Sequence, residues 1–430
     1  MIDIKFFREH AQEVAKKAKD KGIVIEADHV LRIDTANREL ATEVQQLQQE
    51  RNVYAKAASN AVEKEKAHII EKGRELKIEL DKKEKELTAL SAELRTELLK
   101  IPNLAKDDVP PGENETENKV IRTVGEKPTF TFTPKDHLEL GEALDIIDVK
   151  RAAKVSGTRF AYLKNDAVLL EFALVQFALA TLTKEGFIPI VPPVLINKDI
   201  TEGLGYWQEK GNEEYYYLND PDEKKEMYLV GTAEHAIVPM HRDEVFDTQE
   251  LPKRYVAFSS AFRREAGSYG KDTRGILRVH QFDKVEMVSF VSEKDDDKEH
   301  EYLLSLEEKL FQALGISYQV VQMCTGDLGF PAARKYDVEA WIPSQNKYRE
   351  VTSVSTVTDF QSRRLNIKYL ENLLAGGEKK FVHILNGTAF AIGRTIIAIM
   401  ENYQQEDGSI TVPEVLRTYV GKDKISSKKV

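Results

Sequence analysis

The sequence predicts an α+β protein in which a mainly antiparallel β-sheet flanked by helices follows an N-terminal antiparallel α-helical coiled-coil arm. Three observations predict this: heptad-spaced apolar residues over 29–101, a proline-containing linker at 101–118, and strand-like runs that follow one another without the helical spacing of a parallel sheet. A chain of 430 residues has room for two or three domains. We expect two, covering residues 1–105 and 106–430.

The composition indicates a protein of a reducing compartment. The charged fraction is high at 31%, and the net charge of −10 argues mildly against a nucleic-acid binder, although the neutral first 100 residues could still carry a basic face. The single cysteine, Cys324, excludes an internal disulfide framework, so we expect a cytoplasmic protein. The apolar run Phe172–Leu182 is too short to span a bilayer, and we see no signal peptide, so we expect no membrane association.

Residues 29–101 show the pattern of a coiled coil that folds back on itself. Seam positions alternate in steps of four and three, fade near Ser59–Lys66 and then resume. No proline occurs before Pro102, so we expect two long helices joined by a turn near Ser59–Asn60. An isolated seam is more often an oligomerisation element, but polar or small seam residues favour a fixed pairing over tight association. These residues are Asn37, Arg51, Gly73 and Lys83.

The C-terminal region combines two apolar helices with several strand-like runs. Asn165–Phe187 predicts a helix with Asn165 as its N-cap, and Gly387–Gln404 predicts a helix with a small-residue start. Phe187–Ile196 reads as a strand interrupted by prolines, which belongs at the edge or end of a sheet. The other strand-like runs are Glu226–Val230, Tyr255–Phe262, Leu277–Phe290, Tyr318–Met323, Lys335–Trp341 and Val382–Leu385.

The segment FRREAGSYGKDTRGILRVHQFDKVEM places unlike charges between two apolar runs. If its ends are paired strands, alternation puts two groups of residues on one face: Arg263 and Glu265, and Arg278, Phe282 and Glu286. Any single Arg–Glu pair is explained by ion pairing on a solvated surface. A phenylalanine among these charges instead favours a nucleotide, because arginine forks suit phosphate oxygens and a ring can stack on a purine. The sequence lacks the GxxxxGK[ST] and GxGxxG patterns of P-loop and Rossmann sites.

Three segments resemble the motifs of class II aminoacyl-tRNA synthetases. FRREAGSYGKDTRGILRVHQF resembles motif 2, with an F-R-x-E strand, a variable loop and R-x-x-x-F on the return strand. NGTAFAIGRTIIAIMENYQ is similar to motif 3, a strand followed by a helix that carries an arginine. GFIPIVPPVL is similar to motif 1, the dimer-forming element, with its proline at Pro192 or Pro193. The resemblance implies a class II catalytic domain over residues 106–430 and a homodimer formed through motif 1.

Within this class the chain resembles the seryl-tRNA synthetases over nearly its whole length. TAEH (Thr232–His235) is similar to their serine-binding T-A-E loop, and DTRGILRVHQFDKVEM, TDFQSRRLNIKY, ENYQQEDGSITVPEVL and KDHLELGEALDIIDVKRAAKVSGTRF are similar to their signatures. Their N-terminal coiled coil grips the variable arm of tRNA, so residues 1–105 are expected to bind tRNA, and the glycine-rich motif 2 loop to meet its acceptor end. The implied activity joins L-serine to tRNA through seryl-adenylate, with a selenocysteine tRNA left open as a second substrate.

The resemblance also implies which residues would hold ATP and Mg²⁺. Arg263 would contact the α-phosphate and the serine carboxylate, Arg394 would lie near the γ-phosphate, and these two are the candidate catalytic residues. Phe282 would stack on the adenine. Glu350 and Ser353 would hold Mg²⁺, which prefers hard oxygen ligands. The candidate ATP-binding residues are Arg263, Glu265, Arg278, Val279, Phe282, Glu350, Val351, Thr352, Ser353 and Arg394.

A small polar pocket is implied for L-serine. Glu286 would bind the substrate's hydroxyl or ammonium group, and a site that hydrogen-bonds a hydroxyl discriminates strongly against alanine. Three residues depart from the family's usual pattern without removing a charge: Gly231, Thr388 and Ala389. The candidate serine-binding residues are Thr232, Ala233, Glu234, Arg263, Glu286, Asn386 and Thr388.

Two other functions share parts of this pattern. A synthetase-like ligase that charges a carrier protein would lack the full helical arm. A non-catalytic tRNA-binding relative would typically have lost arginines of motifs 2 and 3, whereas Arg263 and Arg394 are both present.

Overall fold

The structure, a computed structural model, describes residues 1–206, 214–220, 225–266, 272, 274–371 and 377–427. The chain forms two compact units, Met1–Pro102 and Asn103–Val430. The roles expected for the two predicted domains, tRNA binding and catalysis, stay predictions at this point.

The N-terminal unit is helical. Helix α1 spans Ile4–Asp20, α2 spans Ala27–Asn60 and α3 spans Glu63–Leu99. At about 1.5 Å per residue, the 34 residues of α2 extend for about 50 Å. Because α2 ends at Asn60 and α3 begins three residues later, the predicted turn is confirmed.

Polar seam residues of the arm are paired across its two helices. Asn37 Nδ2 donates to Ser91 Oγ at 2.8 Å, and Lys83 Nζ lies 2.7 Å from Glu43 Oε2. In each pair one residue lies in α2 and the other in α3. Glu43 follows Asn37 along α2, whereas its partner Lys83 precedes Ser91 along α3. The helices are therefore antiparallel, as predicted, and these pairs select one register of the seam.

The second unit combines strands and helices. Its strands are β1 (Lys119–Val124), β2 (Ile147–Asp148), β3 (Tyr162–Leu163), β4 (Ile188–Ile190), β5 (Leu195–Asn197), β6 (Tyr217–Asp220), β7 (Lys225–Leu229), β8 (Val245–Asp247), β9 (Lys253–Phe262), β10 (Gln281–Val291), β11 (Tyr318–Gln322), β12 (Arg334–Ile342), β13 (Lys347–Thr358), β14 (Lys368–Leu370), β15 (Lys379–Phe381), β16 (His383–Ala391), β17 (Ile410–Thr411) and β18 (Lys424–Ile425). Its helices are α4 (His137–Ala143), α5 (Val149–Ser156), α6 (Asp166–Lys184), α7 (Lys198–Leu204), α8 (Glu234–Ile237), α9 (Asp296–Leu314), α10 (Phe360–Leu365), α11 (Ile392–Asn402) and α12 (Arg417–Val420).

An eight-stranded sheet is the centre of this unit. Its strand order is β1–β11–β12–β13–β16–β10–β9–β4, and its neighbouring strands are antiparallel except for β4 and β9. The mainly antiparallel sheet predicted from the sequence is thus confirmed. β4 contains Pro189 and lies at the edge, where a residue without an N–H group is tolerated.

Helices α6, α9 and α11 pack against the sheet and bury its apolar residues. By length and composition α6 could cross a membrane, since its 19 residues have a mean hydropathy of 1.6, and it is the one such helix among the described residues. Leu170, Leu174 and Leu182 of this helix are buried in the core of the unit. An apolar helix of the protein interior has the same composition, so this feature does not distinguish the two environments.

One helix start and one capping contact differ from the predictions. Residues 387–391 extend β16 because they pair with β10, with Thr388 opposite Glu286, so α11 begins only at Ile392. Asn165 occupies the N-cap position of α6, as predicted, but its side chain makes no capping hydrogen bond. Its Nδ2 atom donates instead to the backbone oxygen of Asp145 at 2.9 Å.

The strand alternation expected for the charged segment is also wrong in part. β9 ends at Phe262 and β10 begins at Gln281, so Arg263, Glu265 and Arg278 lie in the connection rather than on strands. Glu265 has a φ of +54°, in the left-handed region, which turns the chain away from the strand.

Candidate functional site

The connection between β9 and β10 brings several candidate residues to one place. Arg263 N donates to His280 O at 3.0 Å and His280 Nδ1 donates to Arg263 O at 3.0 Å, which extends the pairing of the strands beyond their ends. The neighbouring Arg264 is exposed. Residues 267–271 and 273, part of the loop expected to meet tRNA, lie outside the described residues.

One pocket brings all the candidate ATP-binding residues together. Its empty volume is about 590 Å³. The Arg263 guanidinium lies 5.5 Å from the centre of the Phe282 ring, on the wall formed by β10. Besides the ten candidates, the pocket is lined by Ile276, Leu277, Lys284, Thr388, Ala391 and Gly393.

The phosphate-binding candidates are paired with carboxylates. Arg394 Nη1 lies 2.8 Å from Glu350 Oε2, and Arg278 Nη1 lies 3.2 Å from Glu265 Oε2. Burial would raise the pKa of Glu350, but the charges of Arg394 and Lys335 outweigh it and lower this pKa to about 2. Glu350 is therefore ionised at neutral pH, and a nucleotide phosphate would compete with it for Arg394.

A β-bulge orients the two candidate metal ligands. In the pairing of β12 with β13, Glu339 is opposite Glu350 while the preceding Val338 is opposite Thr352, so Val351 is an extra residue. Without the bulge, residues three apart on a strand would face opposite sides of the sheet. With it, Glu350 and Ser353 both line the pocket. An ionised carboxylate and a hydroxyl are a donor set that fits Mg²⁺.

The candidate serine-binding residues form a buried hydrogen-bonded cluster beside this pocket. Asn386 Nδ2 lies 2.9 Å from Glu234 Oε2 and 3.3 Å from Glu286 Oε1. Thr388 Oγ1 donates to Glu286 Oε2 at 3.0 Å. Thr232 and Ala233 are buried immediately before α8, and Thr232 Oγ1 accepts the Glu234 N–H. Arg263 and Thr388 also line the pocket described above, so the two sites are contiguous.

The two carboxylates of this cluster have different electrostatic surroundings. Glu286 Oε2 lies 2.5 Å from Lys284 Nζ, a cation that is itself buried. No cation among the described residues lies within ion-pair distance of Glu234, and burial raises its pKa to about 7 against the opposing effects of the Gln361 hydrogen bond and the charge of Lys284. A substrate ammonium group would supply the positive charge that Glu234 lacks.

Several residues of the site were not identified from the sequence. Lys284 lies two residues before Glu286 on β10, so strand alternation alone could have placed it on the same face. Gln361 Nε2 and Tyr206 OH both donate to Glu234, at 2.8 and 3.1 Å. These two residues come from distant segments, and no local pattern connects them to the T-A-E loop.

The antiparallel sheet, the connection between β9 and β10 that carries Arg263 and Arg278, and the strand-to-helix unit bearing Arg394 together define a class II aminoacyl-tRNA synthetase core. The family model described as "tRNA synthetase class II core domain (G, H, P, S and T)" matches residues 216–403, and that described as "Seryl-tRNA synthetase N-terminal domain" matches residues 1–105. The chain belongs to the seryl-tRNA synthetase family.

Individual relatives agree over the full length of the chain. The serine–tRNA ligase of Dictyoglomus thermophilum is 43% identical over 432 residues, covering 100% of both chains. A seryl-tRNA synthetase from Pyrococcus horikoshii complexed with ATP superposes with a TM-score of 0.90 at 38% identity, again covering 100% of both chains. A cytoplasmic serine–tRNA ligase from Naegleria fowleri in complex with AMP has a TM-score of 0.87 at 31% identity, covering 100% of this chain and 99% of that one.

Proposed function

We propose that this chain ligates L-serine to tRNA with ATP, through a seryl-adenylate intermediate. The observation that carries the proposal is the contiguity of a pocket lined by three arginines and an aromatic ring with a buried cluster of two carboxylates, an amide and a hydroxyl. The first suits a nucleoside triphosphate, and the second suits a small amino acid with a hydroxyl group. The relatives named above are serine–tRNA ligases, two of them with ATP or AMP bound.

In the first step the serine carboxylate attacks the α-phosphorus of ATP. The bond from that phosphorus to the bridging oxygen breaks, and pyrophosphate leaves. Arg263 would hold the attacking carboxylate and the α-phosphate together, while Arg278 and Arg394 would offset the charge that develops on the departing phosphates. In the second step a ribose hydroxyl of the tRNA terminus attacks the acyl carbon, and AMP leaves. Neither step needs a nucleophile from the protein.

The ring of Phe282 and the carboxylate of Glu265 would recognise the adenine. Both line the pocket, one as a stacking surface and the other as an acceptor for the exocyclic amine. Val279, between Arg278 and the start of β10, would contribute backbone polar groups to the edge of the base. Val351 and Thr352 would form the opposite wall as part of the bulged segment of β13.

We further propose that Glu350 and Ser353 hold Mg²⁺. Mg²⁺ held by these two residues would supply positive charge that offsets part of the negative charge of the phosphates. Glu350 is ionised at neutral pH because Arg394 and Lys335 stabilise its charge, so no proton must be displaced for the ion to bind. Serine-dependent exchange of labelled pyrophosphate into ATP should then be lost in EDTA and restored by added Mg²⁺. Exchange that persists in EDTA would exclude this role.

The serine hydroxyl would bind the carboxylate of Glu286 and the hydroxyl of Thr388. The Glu286 carboxylate is paired with the ammonium group of Lys284. We expect serine to support ATP–pyrophosphate exchange at least about 10³-fold more efficiently in kcat/KM than alanine, because alanine has no hydroxyl to hydrogen-bond in this buried polar site. Threonine would be excluded by size. The measurement is amino-acid-dependent exchange of labelled pyrophosphate into ATP. Exchange with another amino acid and none with serine would contradict the proposed substrate.

The substrate ammonium would bind the ionised form of Glu234. Because the pKa of Glu234 is about 7, this carboxylate gains a proton as the pH falls below that value. We expect the KM for serine to rise roughly tenfold per pH unit between about pH 6.5 and 5.5, with a smaller change above pH 7.5. Glu234→Gln should have a higher KM without this dependence. A wild-type KM that is flat over the whole range would contradict the contact.

The N-terminal arm is the proposed tRNA-binding element, with serine-accepting tRNA as its partner and a selenocysteine tRNA as a second candidate. Its two helices pair with each other through matched polar residues, which leaves their outer faces free for a large partner. This arrangement supports an intramolecular hairpin over the oligomerisation element that an isolated seam would suggest. The single buried cysteine supports a reducing, cytoplasmic location.

We propose a homodimer formed through the motif 1 segment. Large apolar side chains are exposed there on α6 and around β4: Leu169, Phe172, Ile188 and Val191, the last with 79% of its surface exposed. Such a patch is typical of a protein interface. Phe172→Glu should convert the dimer to monomers in analytical ultracentrifugation, while Val155→Glu, at an exposed apolar residue of α5, should not. A wild-type chain that sediments as a monomer would contradict the dimer.

A further inference from the structure

His137 is a buried histidine to which none of the chemistry above assigns a role. It is the first residue of α4 and has 6% of its surface exposed. Its backbone N donates to Glu401 Oε1 at 3.1 Å, and its ring Nδ1 lies 3.4 Å from the same oxygen. Glu401, near the end of α11, is fully buried, and its second oxygen accepts the Ser344 N–H at 3.0 Å. Glu401 therefore holds the His137 ring in one orientation.

The other side of the ring faces the backbone where the motif 2 loop ends. Ile276 N donates to His137 Nε2 at 3.3 Å. Nε2 must accept this hydrogen bond, so the proton of the neutral ring belongs on Nδ1, where it points to Glu401. The imidazole thus joins the C-terminal turn of α11 to the chain immediately before Leu277.

Gly275 lets the ring approach this closely. A Cβ atom at this position would lie 2.0 Å from His137 Nε2, and the residue has a φ of +76°, in the left-handed region that glycine adopts without strain. The close contact therefore depends on two features: a glycine at the end of the loop, and the ring of His137 in the orientation that Glu401 gives it.

The backbone that His137 holds is a wall of the ATP pocket. Residues Ile276–Val279 all line the pocket, and a Cβ atom at Gly393 would lie 3.4 Å from Ile276 O. One residue further, Leu277 O accepts from Arg394 Nε at 3.4 Å. The backbone strip Ile276–Val279 thus contacts His137 on one side and the first turn of α11 on the other. These two contacts set the distance of the strip from Phe282 and Arg394.

We propose that His137 is a positioning residue for ATP: oriented by Glu401, its ring fixes the backbone at Ile276 and thereby sets the strip Ile276–Val279 against the nucleotide. The inference rests on the proposed binding of ATP in this pocket. It assigns the DHLELG segment and the Glu401 end of motif 3 to nucleotide binding, although neither segment lines the pocket.

The test measures ATP affinity directly, by calorimetry in the absence of serine and tRNA. His137→Leu should weaken ATP binding about five- to tenfold, because the Ile276 N–H loses its acceptor and the strip its fixed position. His137→Gln, whose amide oxygen can reach the same N–H, should stay within about twofold of wild type. The KM for serine should change less than about twofold in both.

His241→Leu is the matched control. His241 is also buried and also uses both ring nitrogens, with Glu244 at 2.7 Å and the Tyr255 hydroxyl at 2.9 Å, but none of these residues lines the ATP pocket. The His241→Leu variant should have a lower melting temperature than wild type and an ATP affinity within about twofold of wild type. The proposal is overturned if His137→Leu binds ATP as wild type does, or if His241→Leu loses the same affinity.

Gly275→Ala is a second route to the same result if His137→Leu does not fold. Its methyl group would displace the ring from Ile276, so ATP affinity should fall by a similar factor with His137 unchanged. ATP affinity equal to wild type in Gly275→Ala would also overturn the proposal. Because the readout is binding of ATP alone, a chain that binds ATP but does not use serine would contradict the proposed function and not this inference.

Discussion

Arg263→Leu is expected to lower kcat/KM for serine-dependent ATP–pyrophosphate exchange by about 10³-fold or more. Removal of one donor that stabilises a transition-state charge costs about 10²–10³-fold, and Arg263 would contact both reacting groups, the carboxylate and the α-phosphate. Its guanidinium is held over the Phe282 ring and its Nε donates to Gly231 O at 3.1 Å, so its position is set before substrates bind. The measurement is the exchange assay, with the melting temperature recorded for each variant.

Arg264→Leu is the matched control for this prediction. Arg264 is adjacent in sequence and has the same charge, but it is exposed and does not line the pocket. We expect its exchange activity to stay within about twofold of wild type. Equal losses in the two variants would show that net charge near the loop, rather than the placement of Arg263, controls the reaction.

Shortening the arm is expected to separate the two steps of the reaction. Removal of residues 52–76, with a short glycine–serine turn in their place, keeps the cross-helix pairs of Asn37 with Ser91 and of Glu43 with Lys83. Exchange should stay within about twofold of wild type, because the ATP and serine sites lie in the second unit. Formation of seryl-tRNA should fall about 100-fold or more, because the tRNA terminus is no longer positioned.

A chain in which residues 59–62 alone are replaced by the same turn controls for the new junction and should charge tRNA normally. Deletion of Asp28–Lys100 as a whole should give the same separation in a more extreme form. If the shortened chain charges tRNA at the wild-type rate, the arm is not the tRNA-binding element. If exchange falls together with charging, the two units are not independent in catalysis.

Local pattern was sufficient to predict the arm and the general form of the sheet. The heptad spacing reports helix–helix packing directly, since seam residues must recur every three to four positions to face a partner helix. The ten candidate ATP-binding residues, identified by resemblance, line one pocket, although their individual roles stay predictions. Strand alternation failed for Arg263 and Glu265 because β9 ends one residue earlier and Glu265 turns the chain with a positive φ.

By itself the sequence determined that the chain is a helical hairpin followed by an antiparallel sheet, and it predicted a nucleotide site in two segments rich in arginine and glutamate. These features follow from spacing along the chain. Only the tertiary structure decided that the bulge at Val351 turns Glu350 and Ser353 to the same side, because a bulge depends on the register of two strands. It also decided that Glu234 is buried with a raised pKa beside Gln361, and that His137 bridges Glu401 and Ile276. These last two properties depend on burial and on contacts between residues more than 100 positions apart, which local spacing does not encode.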